Sequence, residues 1–388
     1  MAASGHGTRI IDSARFTFYS KGCELTHTNN MTEIQPWLAE RIERFRTFHA
    51  SQEPGQIRVI MALWAMGLDY TKYGFEPRPL NSFDHENKPE EFVDHVLHRL
   101  RVEIEILKSL GDDTVPNVFP GVGIAPNSAF WTNAPMTVGP DTSWVDHILH
   151  DWDMLDSLRC DPSNKWFQVL TRMNRRFVEC NEGDYTVMPM SNFSPMDMAH
   201  ALRGNDLFMD FYDSPDRVHK LLDRCVEAVA MYHAEQKKIV PDVLGGTAIW
   251  GTWVPGTALF MSEDIADLCS PEIYDEFGRP HSEQLAARFG GCWIHHHARG
   301  LHVHHAIAKV AGLKQMEISW DPNCPRPIDM VEKLYEWSGA VPVMTRGTSK
   351  DLYDNIEKLK QGRFVFSLHA RDLDDAREAI AFARKHSK

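Results

Sequence analysis

The chain has 388 residues, 43% hydrophobic and 24% charged, the balance of an ordinary soluble globular protein with one large domain or two modest ones. Its formal net charge of -13 argues against a nucleic-acid backbone as partner and against an anionic membrane surface. No apolar run approaches the roughly 18–20 residues of a spanning helix, and the opening MAASGHGTRIID lacks the apolar centre of a signal peptide, so a cytoplasmic location is expected. Seven cysteines with no C-x-x-C among them suit reduced thiols rather than a disulfide framework.

In chain order, residues 1–50, with TEIQPWLAERIERFRTFHA, predict a helical extension that packs on the end of the body or on a second copy in a homodimer. QIRVIMALWA (56–65) predicts a buried strand. Residues 88–110 place Phe92, Val96, Leu100, Ile104 and Leu107 at helical spacing. TVPNVFPGVGI (114–124) is strand-like, 164–182 is amphipathic and YTVMPM (185–190) is a short strand. SPMDMAHALRG (194–204) has a Ser cap, Pro in the first turn and a terminal Gly, and 214–239 repeats the Ser-Pro-Asp opening on a longer helix. DVLGGTAIW (242–250) predicts a strand that runs into a loop, and 270–290 a helix interrupted near Pro280. CWIHH, QMEIS, AVPVMTRG and RFVFSLH then predict four strands, each followed by a helical segment. This alternation predicts an α/β fold with a parallel sheet, and about eight units over residues 51–388 favour a (β/α)8 TIM barrel.

A barrel collects chemistry at the carboxyl ends of its strands. Those ends fall near Trp64, Gly123, Asn192, Trp250, His295–His297, Ser319–Asp321, Thr345–Arg346 and Ser367–His369. Residues 291–305, GCWIHHHARGLHVHH, hold six of the chain's 20 histidines. A metal site, an acid–base cluster and a polar surface rich in histidine all remain open. On a strand, His295 and His297 point one way and His296 the other, so H-x-H offers two imidazoles from a rigid element. His369 at the last strand end is the third candidate ligand, with Asp321 or Glu317 as a fourth ligand or an acid–base group. His302, His304 and His305 are expected in the following helix, structural or solvent-facing. His27, His49, His85, His95, His98, His147 and His150 carry no assigned role, and the DHVLH and DHILH pairs are expected on the surface. Asn192, Phe193, Trp250, Trp253 and Arg346 are the candidate substrate contacts, with WGTWVPG lining a pocket for a small molecule. There is no G-x-G-x-x-G, G-x-x-x-x-G-K-[ST], G-x-S-x-G or H-E-x-x-H, so nucleotide-binding and serine-hydrolase functions have no motif behind them.

Three stretches, MSNFSPMDMAHALRGNDLFMDFYDSPDRVHKLLDRCVEAV, MSEDIADLCSPEIYDEFGRPHSEQLAARFGGCWIHHHA and AGLKQMEISWDPNCP, resemble consecutive segments of the uroporphyrinogen decarboxylase-like superfamily. The resemblance covers about residues 185–375; residues 1–180 share only the rhythm. It implies a (β/α)8 barrel. The superfamily's porphyrin decarboxylases use no metal and carry an arginine-rich motif near the N-terminus. Here the early arginines are isolated, in GTRII and SARFTF. Its corrinoid-linked methyltransferases hold zinc on a His-x-Cys after the corresponding strand and a Cys near the end of the last. Carried across, the His is His295, the first Cys position is His297, the late Cys position is near His369, and the additional acidic ligand falls at Asp321. With imidazole at both thiolate positions, the ion would keep more positive charge and polarise a bound water or substrate oxygen better. The resemblance therefore implies a metal-dependent enzyme, zinc by default, for methyl transfer or O-demethylation of a small oxygenated substrate. No D-x-H-x-x-G motif is present, so a corrinoid would be carried by a separate partner protein. A hydrolase or lyase without corrinoid, a metal-free decarboxylase and a non-catalytic metal-binding protein are the alternatives.

Overall fold

The computed structural model describes residues 33–388 apart from 130, 132, 133 and 191. The first part of the expected extension, with His27, lies outside the described residues. Eight strand positions succeed one another: β1 (Gln56–Met61), β2 (Asn117–Val118), β3 in two short pieces (Thr186–Val187 and Asn192–Phe193), β4 (Leu259–Ser262), β5 (Cys292–His297), β6 (Leu313–Ser319), β7 (Val343–Thr348) and β8 (Arg363–His369). Neighbours pair in parallel from β3 through β4, β5, β6, β7 and β8 to β1, and β2 pairs in parallel with β3. The ring closes where Asp113 N donates to Val59 O at 2.8 Å and Val59 N donates to Asp113 Oδ2 at 2.9 Å, just before β2. Helices such as Pro89–Leu110, Lys165–Glu179, Pro215–Lys237 and Leu373–His386 return the chain between strands or close it. This is the expected (β/α)8 architecture.

Local chemistry explains the helix ends. Pro89 opens its helix at a position where a missing N–H costs nothing, and Gly111, at φ 67°, closes it in the left-handed conformation. Thr348 and Asp351 form a reciprocal capping box on Ser349–Leu359. No helix among the described residues is long and apolar enough to cross a membrane.

The barrel interior is layered. Ile60, Phe260, Trp293, Met344 and Val365 form a buried apolar layer with Leu38, Ile42, Phe45 and Phe48 of the helix Pro36–Ala50. At about 1.5–3 kcal/mol for each fully buried large side chain, this helix is a firm plug for the amino end of the barrel. Its apolar face is thus covered within the chain. Two residues further along β4, β5, β7 and β8 the inward positions turn polar, at Ser262, His295, Arg346 and Ser367, and Glu317 of β6 joins them.

The structure corrects the expected strand at 242–250. Gly246–Ile249 is one arm of an antiparallel hairpin whose other arm is Thr252–Pro255. Trp250 (φ 45°) and Gly251 (φ 79°) form the two-residue tip. That turn wants two left-handed residues, for which Asn-Gly is the usual choice, and Trp bears a cost of about 1–2 kcal/mol there. The fourth barrel strand is instead Leu259–Ser262, so the fourth strand end lies at Ser262–Asp264 and not near Trp250. Likewise the strand expected at 114–124 shrinks to Asn117–Val118.

Candidate metal centre

The site grows out of the register of β5 against its two neighbours. A bulge between Cys292 and Trp293 shifts β5 against β6, after which His295 pairs with Glu317 and His297 with Ser319. Parallel partners share a face, so the Glu317 carboxylate arrives on the ring of His295. On the other side, His295 pairs with Ser262 at the end of β4. The turn beyond β4 is held from below by Asp197, whose buried carboxylate accepts from Ser262 Oγ at 2.6 Å, Asp264 N at 3.1 Å and Ile265 N at 2.8 Å. Glu263 N adds a hydrogen bond to His295 O at 2.8 Å. These bonds fix the backbone from which Asp264 projects.

His295 Nε2 and His297 Nε2 lie 3.0 Å apart, and Asp264 Oδ1 lies 3.7 Å from the first and 3.6 Å from the second. An ion about 2.1 Å from three donors in tetrahedral array has donor–donor edges of about 3.4 Å, close to this triangle. Asp264, His295 and His297 could therefore hold a metal ion; they are the group that meets that condition among the described residues. Each imidazole has a carboxylate behind it. His295 Nδ1 donates to Glu317 Oε2 in a very short contact, and His297 Nδ1 donates to Asp321 Oδ1 at 2.8 Å. Such a partner fixes the tautomer, aims the Nε2 lone pair and raises its basicity.

Glu317 is itself braced. Its Oε1 accepts from Arg346 Nη2 at 2.6 Å and Ser319 Oγ at 3.0 Å. Burial pushes the Glu317 pKa upward, but the charges of His295 and Arg346 outweigh it and hold the carboxyl well below the usual range. For His295, burial favours the neutral ring, yet Glu317 reverses this and the net shift is upward. Asp321 Oδ2 accepts from Arg299 N at 3.2 Å. Asp264, Asp267, His297, Arg299 and Asp321 line a small pocket of 210 Å³ beside the triangle. Asp267 is pushed up to about 8, first by burial and then by the negative charges of Asp264 and Asp321, and its Oδ1 is buried without a hydrogen-bond partner among the described residues. Gly300 leaves room for it: a Cβ there would lie 1.8 Å from Asp267 Oδ1.

The expected residues are thus partly reunited and partly reassigned. His295 and His297 converge, with His296 on the opposite face. Asp321 and Glu317 stand at the far nitrogens of the imidazoles instead of beside Asp264 at the Nε2 triangle, because register places them on the Nδ1 side. His369 is not in the cluster. It ends β8, three strands from β5, and lies edge-on to Trp64 with ring centroids 5.2 Å apart. Arg346 binds Glu317 and Ser319 and acts as a brace. Trp250 sits against His295, with centroids 4.9 Å apart. Trp253 is fully buried under Arg46, with Nε1 donating to Val243 O at 2.9 Å, too deep in the amino-end plug to touch a substrate. Asn192 and Phe193 pair in β3 with Met261 and Ser262, and Phe193 packs half-buried on the core. His304 opens the short helix His304–Ile307, in keeping with the expected structural role, and is buried against His296. His98 is exposed, as expected of that pair, whereas His95 is half-buried; both rings touch Phe75.

Asp264, Asp267 and Asp197 were missed in the sequence. The available signal was the acidic run in LFMSEDIADL directly after an apolar stretch, together with a Trp-Gly turn between two apolar runs, which is a hairpin pattern.

No family model matches the sequence, and no curated protein does. Among solved structures the chain is similar to a methyltransferase from Methanosarcina mazei, with a TM-score of 0.59 over 89% of this chain and 98% of that one, at 12% identity. That likeness is one of fold: both are α/β chains built on a parallel sheet with flanking helices.

Proposed function

We propose that this chain is a metal-dependent enzyme that transfers or removes a methyl group on a small oxygenated substrate, with a divalent ion, zinc first, on His295 Nε2, His297 Nε2 and Asp264 Oδ1. The observation that carries this reading is the pair of carboxylate-backed imidazoles aimed at one point. A merely structural histidine pair has no need of a carboxylate at each far nitrogen. Three protein donors with one position left open is the arrangement of a catalytic site and not of a structural one. The ion, when bound, supplies a Lewis acid that lowers the pKa of the group it touches. Around it, Glu317 and Asp321 hold the imidazole Nδ1 protons, Arg346 keeps Glu317 ionised, and Asp267 can hold a proton beside the reacting group. The fold likeness to a methyltransferase supports the methyl-transfer class. Since the chain has no D-x-H-x-x-G motif, a corrinoid methyl carrier would be a separate protein.

The donor set supports a second reading. Two imidazoles and a carboxylate, with no thiolate, make a harder centre that suits a water-activating hydrolase or lyase, and the same set also takes ferrous iron. Elemental analysis of chelator-free protein, wild type beside Asp264→Asn, tests the centre: about one transition metal per chain, much reduced in the variant, is expected. No metal in the wild type overturns the reading. Turnover of methoxylated substrates only when a corrinoid acceptor is added supports methyl transfer, and turnover without it selects the hydrolase or lyase.

A further inference from the structure

A second cavity, of 570 Å³, adjoins the centre across one side chain. Its walls are largely apolar and include Phe75, Phe92, Phe119, Met190 and the helix residue Val96. Phe92 and Val96, whose spacing suggests core positions, are half-buried because they face this space. The volume lies within the ~300–1,000 Å³ range of sites for drug-sized molecules.

Trp250 belongs to both regions. Its ring packs on Phe260, Trp293 and His295, and it also lines the cavity. It occupies the first left-handed position of the hairpin tip, where the backbone favours Asn and disfavours an indole. A strained aromatic kept between a cavity and a cluster of metal-ligating side chains has a use for its ring.

Asn117, at the start of β2, also lines the cavity, and its Nδ2 is buried with no hydrogen-bond partner among the described residues. A buried donor of this kind is costly unless something accepts from it. The cationic groups at the wall have partners of their own: Arg99 lies 3.3 Å from Glu103, and Arg78 stacks 4.0 Å over Phe83. They do not call for an anion.

We propose that this cavity binds a flat, uncharged, largely apolar molecule of one or two rings, which stacks on Trp250 and accepts a hydrogen bond from Asn117. It deepens the reading of the metal centre, on which it rests for its role: the ring system would be the unreactive body of the substrate. Nitrobenzene (flat, neutral, with acceptor oxygens) and toluene (flat, without them) are the probes, titrated calorimetrically into metal-loaded protein. Saturable binding of both is expected, with nitrobenzene roughly fivefold tighter, a preference that Asn117→Leu erases. Trp250→Phe should bind within a few fold of wild type. Trp250→Asn, which relieves the turn and should melt no lower, should bind at least about tenfold more weakly, as should Val96→Trp, which fills the space. No saturable heat from the wild type, or binding unchanged in both Trp250→Asn and Val96→Trp, overturns the proposal. Metal content, measured on the same samples, separates the two readings. Metal present with no probe binding sinks the cavity alone, whereas probe binding with no metal sinks the reading of the centre and the cavity's link to it.

Discussion

Strand β5 carries histidines on both faces, and the two faces are chemically unlike. Inward, His295 and His297 each donate from Nδ1 to a carboxylate and present Nε2 toward Asp264. Outward, His296 Nε2 meets His304 Nδ1 at 2.8 Å, and His304 Nε2 meets Ser338 Oγ at 2.7 Å. This outer pair is bonded to an imidazole and a hydroxyl, lies under the helical layer, and is driven by burial toward the neutral form, His304 to about 3. Crowding of imidazoles therefore does not make ligands. What suits an imidazole to the role of ligand is a charge behind it that steers its free nitrogen, together with a third donor across from it, and among these histidines the inner pair has both.

The largest expected effect breaks that contrast outright. If the proposed centre holds, His295→Ala removes one of its three donors and should drop metal content from about one per chain to near zero, while His296→Ala leaves it unchanged. Equal loss in both, measured by elemental mass spectrometry, would mean that the outer pair holds the ion as well. A smaller effect tests the carboxylates. Asp321→Asn keeps all three donors but weakens the support of His297, so metal affinity should fall about 10–100-fold in a competition titration with a chromogenic chelator. Glu317→Gln should do the same for His295 and also loosen Arg346. Affinity unaltered in both would show that the far-side carboxylates do not tune the centre.

The outer pair should reveal itself in stability alone. His304→Leu leaves His296 Nε2 and Ser338 Oγ without their partner and should cost about 1–3 kcal/mol in urea unfolding, with metal content intact. The double variant with His296→Leu should cost less than the sum of the two single changes, since both ends of the bond are then removed.

The smallest effect sharpens the comparison with a histidine away from β5. His233, in the helix Pro215–Lys237, is buried with both ring nitrogens unpartnered among the described residues, and burial lowers its pKa to about 3. Its folded pKa lies below the unfolded value near 6.5, so the unfolded chain binds the extra proton first on acidification. The stability associated with neutral His233 is present above pH 6.5 and is lost progressively as pH falls from 6.5 toward 3. From pH 7.5 to 5.5 that is about 1.4 kcal/mol for one histidine. His233→Leu should flatten the wild-type loss of unfolding free energy by that amount. An identical pH dependence in the two proteins would show that His233 takes up its proton in the folded state.

Much of the frame was legible in the sequence because it follows from local periodicity. Alternating strands and helices with Ser-Pro openings and Gly stops predict a parallel barrel, and the structure has one. The difference at 242–250 is also local in origin: an apolar run ending in Trp-Gly has the pattern of a strand and its loop, whereas two such runs about Trp250–Gly251 make a hairpin. That displaces the fourth strand end from Asp264 and hides the third member of the candidate triad. His369 has the strand-end position of a ligand, but strand ends surround a wide mouth, and position on the circle decides which of them meet.

By itself the sequence determined the faces: a period of two sets His295 and His297 on one side of β5 and His296 on the other, and no packing can undo that while the strand persists. The tertiary structure decided what each face meets. The Glu317 and Asp321 partners depend on the register of β6 and its bulge, the Asp264 donor on a turn pinned by Asp197, and the neutrality of the outer pair on the helices laid over it. Each of these joins residues far apart along the chain, and the energies that select among registers and closures belong to the packed barrel as a whole, not to any one stretch of it.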